Sequence, residues 1–503
     1  MGHILDSELE TTQVIHKLRE QNKKVTLCHG VFDLLHPGHL EHFHVASKFG
    51  DVLVVSVTSD EFVNKGPGRP IFDLPTRMRA LSRIKGIDYV IPSFSNTSVN
   101  IINTVKPNYY VKGSEYSDAQ LDITGMIQIE RNAVEQNGGE VIFTHEITSS
   151  STSIINEHLS PFSLETRTWL QDFKTKYSVA SITKSIQDLK NLKIGIVGET
   201  IIDSYTKCTP LAKSSKDPIL AFQRHETASF KGGVLAIASN CSEWVSQVCV
   251  YSHISSLSDR FLTNENSNIE YDLFKSIVKP DILKHRFVDT GSGNRIFEYY
   301  DFAPEPFSER EIQRYWDHLE SQLPNHDVII VADYGHGFLS QTGIRTLEKN
   351  AGYLAVNTQA NAGNRGYNTI AKYKRADLIC LNGGELQLEL RERNPNYLEM
   401  VPKYIERMQA RHAIVTLGAE GLMVFDSNGA NVKVPALSTK VVDKVGAGDS
   451  VLAIASMLSF INAPIEVIGL LSNIVAANEI EQLGHSKSMS IVDLQKSVKG
   501  MLG

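Results

Sequence analysis

Two α/β domains in series are what this sequence predicts, and three observations predict them. At 503 residues the chain exceeds what one hydrophobic core usually organises, so two or three domains are expected. Short apolar runs rich in β-branched residues alternate with helical stretches in two separate blocks, the pattern of parallel sheets with crossover helices. Each block also holds a glycine-bearing strand-to-helix junction of the kind that suits a phosphate. The apolar fraction of 42% and charged fraction of 21% belong to a compact globular chain rather than a disordered one.

In the first block, residues 1–158, the runs VTLCHG (25–30), DVLVVSVTS (51–59), YYVKG (109–113) and EVIFTHE (140–146) read as strands. Residues 159–190 contain polar helical sequence without a strand signal and read as a helical linker. The second block, 191–503, carries KIGIVGE (193–199), DVIIVADYG (327–335), YLAVNTQ (353–359), DLICLN (377–382) and AIVTLG (413–418). The opening MGHILDSELETTQVIHKLREQ alternates charge and apolarity like an amphipathic helix and has no signal-peptide run. No later stretch approaches the ~18 apolar residues of a membrane span. The five cysteines are scattered and never spaced as CxxC, which fits reduced thiols in a cytoplasmic protein. A net charge of −7 argues against a nucleic-acid-binding surface.

The most informative string of the first block is GVFDLLHPGH (30–39), which runs from a strand end into a helix. A helix start offers unpaired N–H groups and the positive end of the dipole to a phosphate. Pro37 suits the first helical position and Gly38 removes a side chain where a phosphate approaches. His36 and His39, three residues apart, project from one face and can donate hydrogen bonds to charge building on a triphosphate. A zinc reading of His29, His36, His39, His42 and His44 lacks both an HExxH and a completing cysteine pair; His42 and His44 read as helix-face residues.

This string resembles the GxFDxxHxGH signature of the nucleotidyltransferases that include the cytidylyl- and adenylyltransferases. Further segments follow in order: NKGPGRPI (64–71) resembles KGxxRPI, VKGSEY (111–116) resembles VKGxDY, and SSST (149–152) resembles a hydroxyl-rich turn that holds phosphates. The resemblance is strongest to the adenylyltransferase half of the bifunctional heptose-phosphate kinase/adenylyltransferases. It implies a Rossmann-like nucleotidyltransferase domain with His36 and His39 catalytic. Gly30, Phe32, Asp33, Gly38, Lys65, Arg69, Lys112, Ser150, Ser151 and Thr152 are then its nucleotide- and phosphate-binding residues. The implied reaction is attack by a sugar-phosphate oxygen on the α-phosphorus of ATP or CTP, with release of pyrophosphate.

In the second block DKVGAGDS (443–450) precedes an apolar helical run. Its small residues let backbone N–H groups converge on an anion, and Asp449 just inside the turn can accept the proton of an attacking hydroxyl. The string resembles the GAGD signature of the ribokinase-like, or PfkB, sugar kinases. GETIID (198–203) resembles an opening strand that ends in a sugar-binding aspartate, and KGG (231–233) resembles the glycine pair facing the sugar. DYGHG (333–337) resembles the DYGKG of heptose kinases, NGGE (382–385) the NxxE element, and TLGAEG (416–421) the TxGxxG turn. The resemblance covers roughly residues 191–500 and implies a ribokinase-like α/β domain. In that domain Asp449 is the catalytic base. Asp203, Gly232, Gly233, Lys284, Arg286, Asn382, Glu385, Thr416, Gly418, Gly421, Gly446, Ala447 and Gly448 bind sugar or nucleotide, and Glu385 organises Mg²⁺ through water.

Three departures concern the sugar. Ala236 stands where the family places an asparagine, with Asn240 one turn later; Lys444-Val445 precede the first glycine in place of a threonine; and the double glutamine of heptose kinases is missing between Lys284 and Asp301. The domain order is the reverse of that in the heptose enzymes. Together the two resemblances imply a bifunctional enzyme of nucleotide-sugar biosynthesis with Mg²⁺, ATP and a sugar or sugar phosphate as ligands, no nucleic-acid or membrane partner, and a homodimer. The departures leave a second reading open, a working nucleotidyltransferase whose kinase-like half only binds or regulates. A third, a non-catalytic nucleotide-sugar sensor, is opposed by intact His36, His39 and Asp449.

Overall fold

The computed structural model describes residues 2–95, 97–113, 126–144, 160–214, 216–255, 261–262, 267–275, 281–303, 307–364 and 366–503. Two compact units emerge, Met1–Pro161 with Gln495–Gly503, and Phe162–Leu494.

The first unit is built on one parallel sheet. Its strands are β1 (His3–Ile4), β2 (Val25–Gly30), β3 (Val52–Thr58), β4 (Tyr89–Ser93), β5 (Tyr109–Gly113) and β6 (Glu140–Thr144). Their order is β1-β4-β3-β2-β5-β6, and every neighbouring pair is parallel. Alternate residues along β2 and β3 feed opposite cores: Leu27 and Val54 face one, Cys28, Leu53, Val55 and Val57 the other. A sheet buried on both faces reads as a continuous apolar run, which is why these strands were visible in sequence. The amphipathic opening begins as a helix only at Glu8, capped by Ser7, after the two-residue edge strand β1. Strand order reverses between β2 and β5, so the crevice beyond their carboxyl ends is the place where such sheets bind ligands.

In the second unit the strands are β7 (Lys193–Gly198), β8 (Thr200–Lys213), β9 (Leu220–Gly233), β10 (Gln247–Ile254), β11 (Ile269–Lys275), β12 (Ile282–Asp289), β13 (Arg295–Asp301), β14 (Val328–Asp333), β15 (Leu354–Thr358), β16 (Leu378–Asn382), β17 (His412–Thr416), β18 (Leu422–Asp426) and β19 (Asn431–Val434). Nine form a sheet in the order β11-β10-β7-β14-β15-β16-β17-β18-β19, and four form a smaller sheet, β13-β12-β8-β9. The large sheet is parallel as far as β17 and antiparallel beyond it. Its first strand in sequence, β7, sits between β10 and β14, which places a second switch point at Gly198 and Asp333.

Two sequence readings need correction here. Asp203 does not end the opening strand: β7 stops at Gly198, and Asp203 lies within β8 of the small sheet. Gly198 adopts φ +157, and a Cβ there would lie 2.1 Å from the Ala332 carbonyl oxygen, so the chain turns out of the large sheet at a point only glycine fits. The segment read as a linker is helical, Leu164–Lys176 and Val179–Asp188 with Ser163 and Ser178 as caps, but it packs as part of the second unit. Conversely, Gln495–Gly503 groups with the first unit rather than with the second block.

Candidate active sites

At the first switch point, β2 ends in Gly30 and the chain enters the helix Pro37–Ala46. Phe32 adopts φ +50, and its ring lies where a Cβ on Gly30 would be, 2.9 Å from Phe32 Cζ. The ring packs on Phe43 at 5.2 Å and on His39 at 5.3 Å. Gly30 therefore admits Phe32, and Phe32 props the first helical turn. Asp33, also buried, accepts hydrogen bonds from the Ile71 and Phe72 N–H groups at 2.8 and 3.1 Å. Its other oxygen pairs with Arg69 Nε at 3.1 Å. Asp33 and Arg69 thus fasten the histidine loop to the 64–71 loop, in which Gly66 and Gly68 hold φ +98 and +75.

His36 is the residue before the helix, and Pro37 occupies the first turn. The His36 and His39 rings lie 3.9 Å apart, centroid to centroid, with 30° between their planes. Burial, then the neighbouring His36, Lys65 and His42, pushes His39 down to about 3. Burial and Lys112 likewise push His29, at the end of β2, down to about 4, against the pull of Glu130. These imidazoles are neutral at physiological pH and act as N–H donors rather than as cations. His42 is bonded to Thr144 Oγ1 at 2.9 Å and His44 is exposed, both ordinary helix residues.

Lys112, at the end of β5, pairs with Glu130 at 2.8 Å. Glu130 also accepts from Ser98 at 2.5 Å and Tyr110 at 3.4 Å. Sequence reasoning missed Glu130, because a glutamate inside an amphipathic helix gives no signal until the helix is docked on the sheet. Ser150, Ser151 and Thr152, and the Ser114–Tyr116 part of the VKGSEY segment, lie outside the described residues.

In the second unit the candidate residues gather along the carboxyl edge of the large sheet, where β7, β14, β16 and β17 end in Gly198, Asp333, Asn382 and Thr416. Asp449 stands in the first turn of the helix Ala447–Phe460. Gly446 precedes it at φ +88, where a Cβ would press on Glu479 Oε1 at 2.8 Å, whereas a Cβ on Gly448 would meet nothing within 4 Å. Open space over the start of a helix is what an entering phosphoryl group needs. Asp449 Oδ1 accepts a hydrogen bond from the Tyr334 hydroxyl at 2.8 Å. Burial raises Asp449 to about 7, Tyr334 and Lys284 oppose the rise, and Asp203 and Glu479 add to it. A carboxylate that changes charge near neutrality is suited to general-base work.

The small sheet brings Asp203, Lys284 and Arg286 to this place. Lys284 on β12 is in register with Asp203 on β8. Arg286 Nη1 is bonded to Asp203 Oδ1, its Nε lies 3.3 Å from Glu298, and its guanidinium stands over the Tyr205 ring at 5.3 Å. The buried Lys284 ammonium stands 5.5 Å from both the Tyr300 and Tyr334 ring centroids, and burial lowers its pKa. Gly232 and Gly233 have a packing reason: Cβ atoms there would lie 2.4 Å from Asp203 Oδ2 and from the Glu199 carbonyl oxygen.

Asn382 and Glu385 form a reciprocal capping box on the helix Gly383–Leu390. Glu385 Oε2 accepts from Asn382 N at 2.8 Å and Oε1 from Ala360 N at 3.3 Å; burial raises the group to about 7. Gly418 has φ +61 and open space beside it, while a Cβ on Gly421 would lie 2.0 Å from the Val434 carbonyl oxygen. Ala236 is buried, and Asn240 donates to Ser450 Oγ at 2.9 Å, next in sequence to Asp449. Asn240 therefore supports the helix that carries Asp449. Two further residues went unrecognised: Tyr334, and Glu199, whose buried carboxylate accepts from the N–H groups of Tyr334 and His336 at 2.9 and 3.1 Å. Both lie inside strings singled out in the sequence, GETIID and DYGHG, but neither carried a role of its own there.

Residues 27–157 match the cytidylyltransferase-like family and residues 255–491 the pfkB family carbohydrate kinases. Over 154 residues the chain is 35% identical to the bifunctional protein HldE of Actinobacillus pleuropneumoniae serotype 5b (strain L20), covering 30% of this chain and 31% of that protein. With HldE of Sodalis glossinidius (strain morsitans) it shares 36% over 158 residues, 31% of either chain. The chain thus spans about a third of the length of these curated relatives. The structure of phosphofructokinase-2 from Escherichia coli in complex with substrates and products aligns at TM-score 0.49 and 15% identity, over 61% of this chain and 98% of that one.

Proposed function

We propose that this chain, which joins a cytidylyltransferase-like domain to a pfkB family carbohydrate kinase domain, is a bifunctional enzyme of nucleotide-sugar biosynthesis. One site phosphorylates a heptose-like sugar or sugar phosphate from ATP; the other transfers a nucleotidyl group from ATP or CTP to a sugar 1-phosphate and releases pyrophosphate. The observation that carries the reading is that two helix starts present different chemistry: a close pair of imidazoles, of which His39 is held neutral by burial, at one, and a carboxylate titrating near neutrality at the other.

At the first site a sugar-phosphate oxygen attacks the α-phosphorus in line while His36 and His39 donate hydrogen bonds to the charge that accumulates there. Lys65 and Lys112 add positive charge around the triphosphate. At the second site Asp449 removes the proton of the acceptor hydroxyl as its oxygen attacks the γ-phosphorus, the N–H groups at Gly446–Gly448 take up the charge on the transferred group, and ADP leaves. Mg²⁺ would arrive on each nucleotide and neutralise phosphate charge. Glu385, both of whose oxygens already accept backbone N–H groups, suits an ion held through water better than one held directly.

The five free, buried cysteines and the use of nucleoside triphosphates support a cytoplasmic setting, and no helix of the described residues is long and apolar enough to cross a membrane. The proposal extends to a homodimer, on the resemblance of the second block to the pfkB family sugar kinases. A second reading, a kinase-like half that binds without turnover, is favoured by Ala236 and by the commitment of Asn240 to Ser450. A single experiment tests both. The full chain is screened for pyrophosphate release with ATP, CTP, GTP and UTP against a panel of sugar 1-phosphates, and for sugar-dependent ADP formation with heptoses and their phosphates. Pyrophosphate without ADP supports the second reading; neither product refutes both.

A further inference from the structure

Tyr334 is held from several directions. Its N–H donates to Glu199 Oε2 at 2.9 Å. Its carbonyl oxygen accepts from the side-chain amides of Asn361 and Asn364 at 2.7 and 2.8 Å. The next residue, Gly335, turns at φ +72, with the Asn364 amide where its Cβ would be, at 2.6 Å. Two residues on, the His336 N–H donates to the other Glu199 oxygen at 3.1 Å. The phenol fixed in this way is 2% exposed, and its hydroxyl is bonded to Asp449 Oδ1 at 2.8 Å.

Resting on the reading of Asp449 as the base of the kinase site, we propose that Tyr334 is its positioning residue: the phenol occupies Oδ1, fixes the plane of the carboxylate, and leaves Oδ2 to take the proton of the acceptor hydroxyl. Glu199, Asn361 and Asn364 act through Tyr334 by fixing its backbone. A carboxylate on a short side chain can rotate about its last bond, and one donor from a rigid neighbour stops that rotation.

The electrostatic surroundings agree. Asp449 is faced by Lys284 on β12, Asp203 on β8, Glu479 on the helix Ile465–Ile480, and Tyr334 itself, and its charge is also felt by Glu385 and Cys380 at β16. Among these, Tyr334 and Lys284 favour the ionised base. Burial, with Asp449 beside it, raises the phenol of Tyr334 well above its ordinary value, so it remains a donor wherever the base is ionised.

The test is the pH dependence of sugar-dependent ADP formation by the full chain. The acceptor is heptose 7-phosphate in the first instance, or whichever panel sugar turns over in the wild type. Tyr334→Phe is expected to lower kcat at neutral pH at least about tenfold, and to move the acid limb of the profile up by about one pH unit, since a hydrogen bond to a charged group is lost. KM for ATP is expected to stay unchanged. A fall in kcat with the limb unmoved overturns the proposal, since it reports loosened packing only. Should Tyr334→Phe fail to fold, 3-fluorotyrosine at position 334, a more acidic donor of nearly the same shape, is expected to move the limb down; an unmoved limb again overturns the proposal. Asp449→Asn is run alongside. If it still phosphorylates, the reading of the base fails and the proposal with it; if it is dead while Tyr334→Phe keeps the wild-type limb, the proposal alone fails.

Discussion

The nucleotidyltransferase-like and kinase-like sites use burial to opposite chemical ends. In the first, burial drives imidazoles away from their charged form, His39 to about 3 and His29 to about 4. In the second it drives carboxylates away from theirs, Asp449, Glu385 and Glu199 each to about 7. The physical cause is the same, since a low-dielectric surrounding penalises whichever form carries charge. The consequence differs because a neutral imidazole is a proton-stable hydrogen-bond donor, whereas a carboxylate raised to neutrality is a base poised to exchange a proton. Under the proposed function, the difference would match nucleotidyl transfer to fixed donors and phosphoryl transfer to a mobile proton.

Variants at the two sites should separate the reactions. The largest effect is expected from Asp449→Asn, which should lower ADP formation by ~10²- to 10⁴-fold, the usual worth of a general base, and leave pyrophosphate release unchanged. His39→Ala should do the reverse, lowering pyrophosphate release by ~10²- to 10³-fold, the usual worth of a donor to developing charge. If either variant silences both reactions in a folded chain, the division of chemistry between the sites is lost.

Acidity offers a gentler comparison. Below about pH 7 the Asp449 carboxylate is progressively protonated and cannot accept a proton. Phosphorylation kcat/KM should therefore fall by about tenfold per pH unit on the acid side. Pyrophosphate release should lack this limb, because His39 and His29 remain neutral until the pH nears their lowered values. Parallel profiles measured on one preparation decide the matter, and a shared limb at neutrality would count against the contrast.

The smallest effect sharpens the boundary between chemistry and scaffold. Gly421→Ala places a methyl group against the Val434 carbonyl at a residue with φ +89, and should cost about 1–3 kcal/mol of stability. Denaturant unfolding would show it, with pyrophosphate release unaffected. Gly418→Ala, at φ +61 with nothing within 4 Å, should cost less, because only the backbone conformation opposes it.

Much of the fold was legible because both large sheets are buried on two faces, so β2, β3, β7 and β14 appear as predominantly apolar runs. The small sheet was not: β9 and β13 are largely exposed and carry mixed polar sequence, which offers neither alternation nor an apolar run. Asp203 was placed at the end of the wrong strand for another reason: only Glu199 separates β7 from the buried start of β8, so the two read as one apolar run. Among the candidate residues, those whose reason is local could be read directly. Pro37 and Gly38 answer to the geometry of one helix start and Gly446 to that of another, and each geometry is written within a few residues.

What the sequence determined by itself was the pair of strand-to-helix junctions, the candidate residues at each, and the order of the two domains, because each is set by neighbours close along the chain. Tertiary structure alone decided the partners: Arg69 against Asp33, Glu130 against Lys112, Arg286 against Asp203, and Tyr334 against Asp449, the last pair 115 residues apart. A carboxylate's pKa and the direction it faces depend on which distant groups the sheets bring beside it, and only closing the chain on itself fixes those.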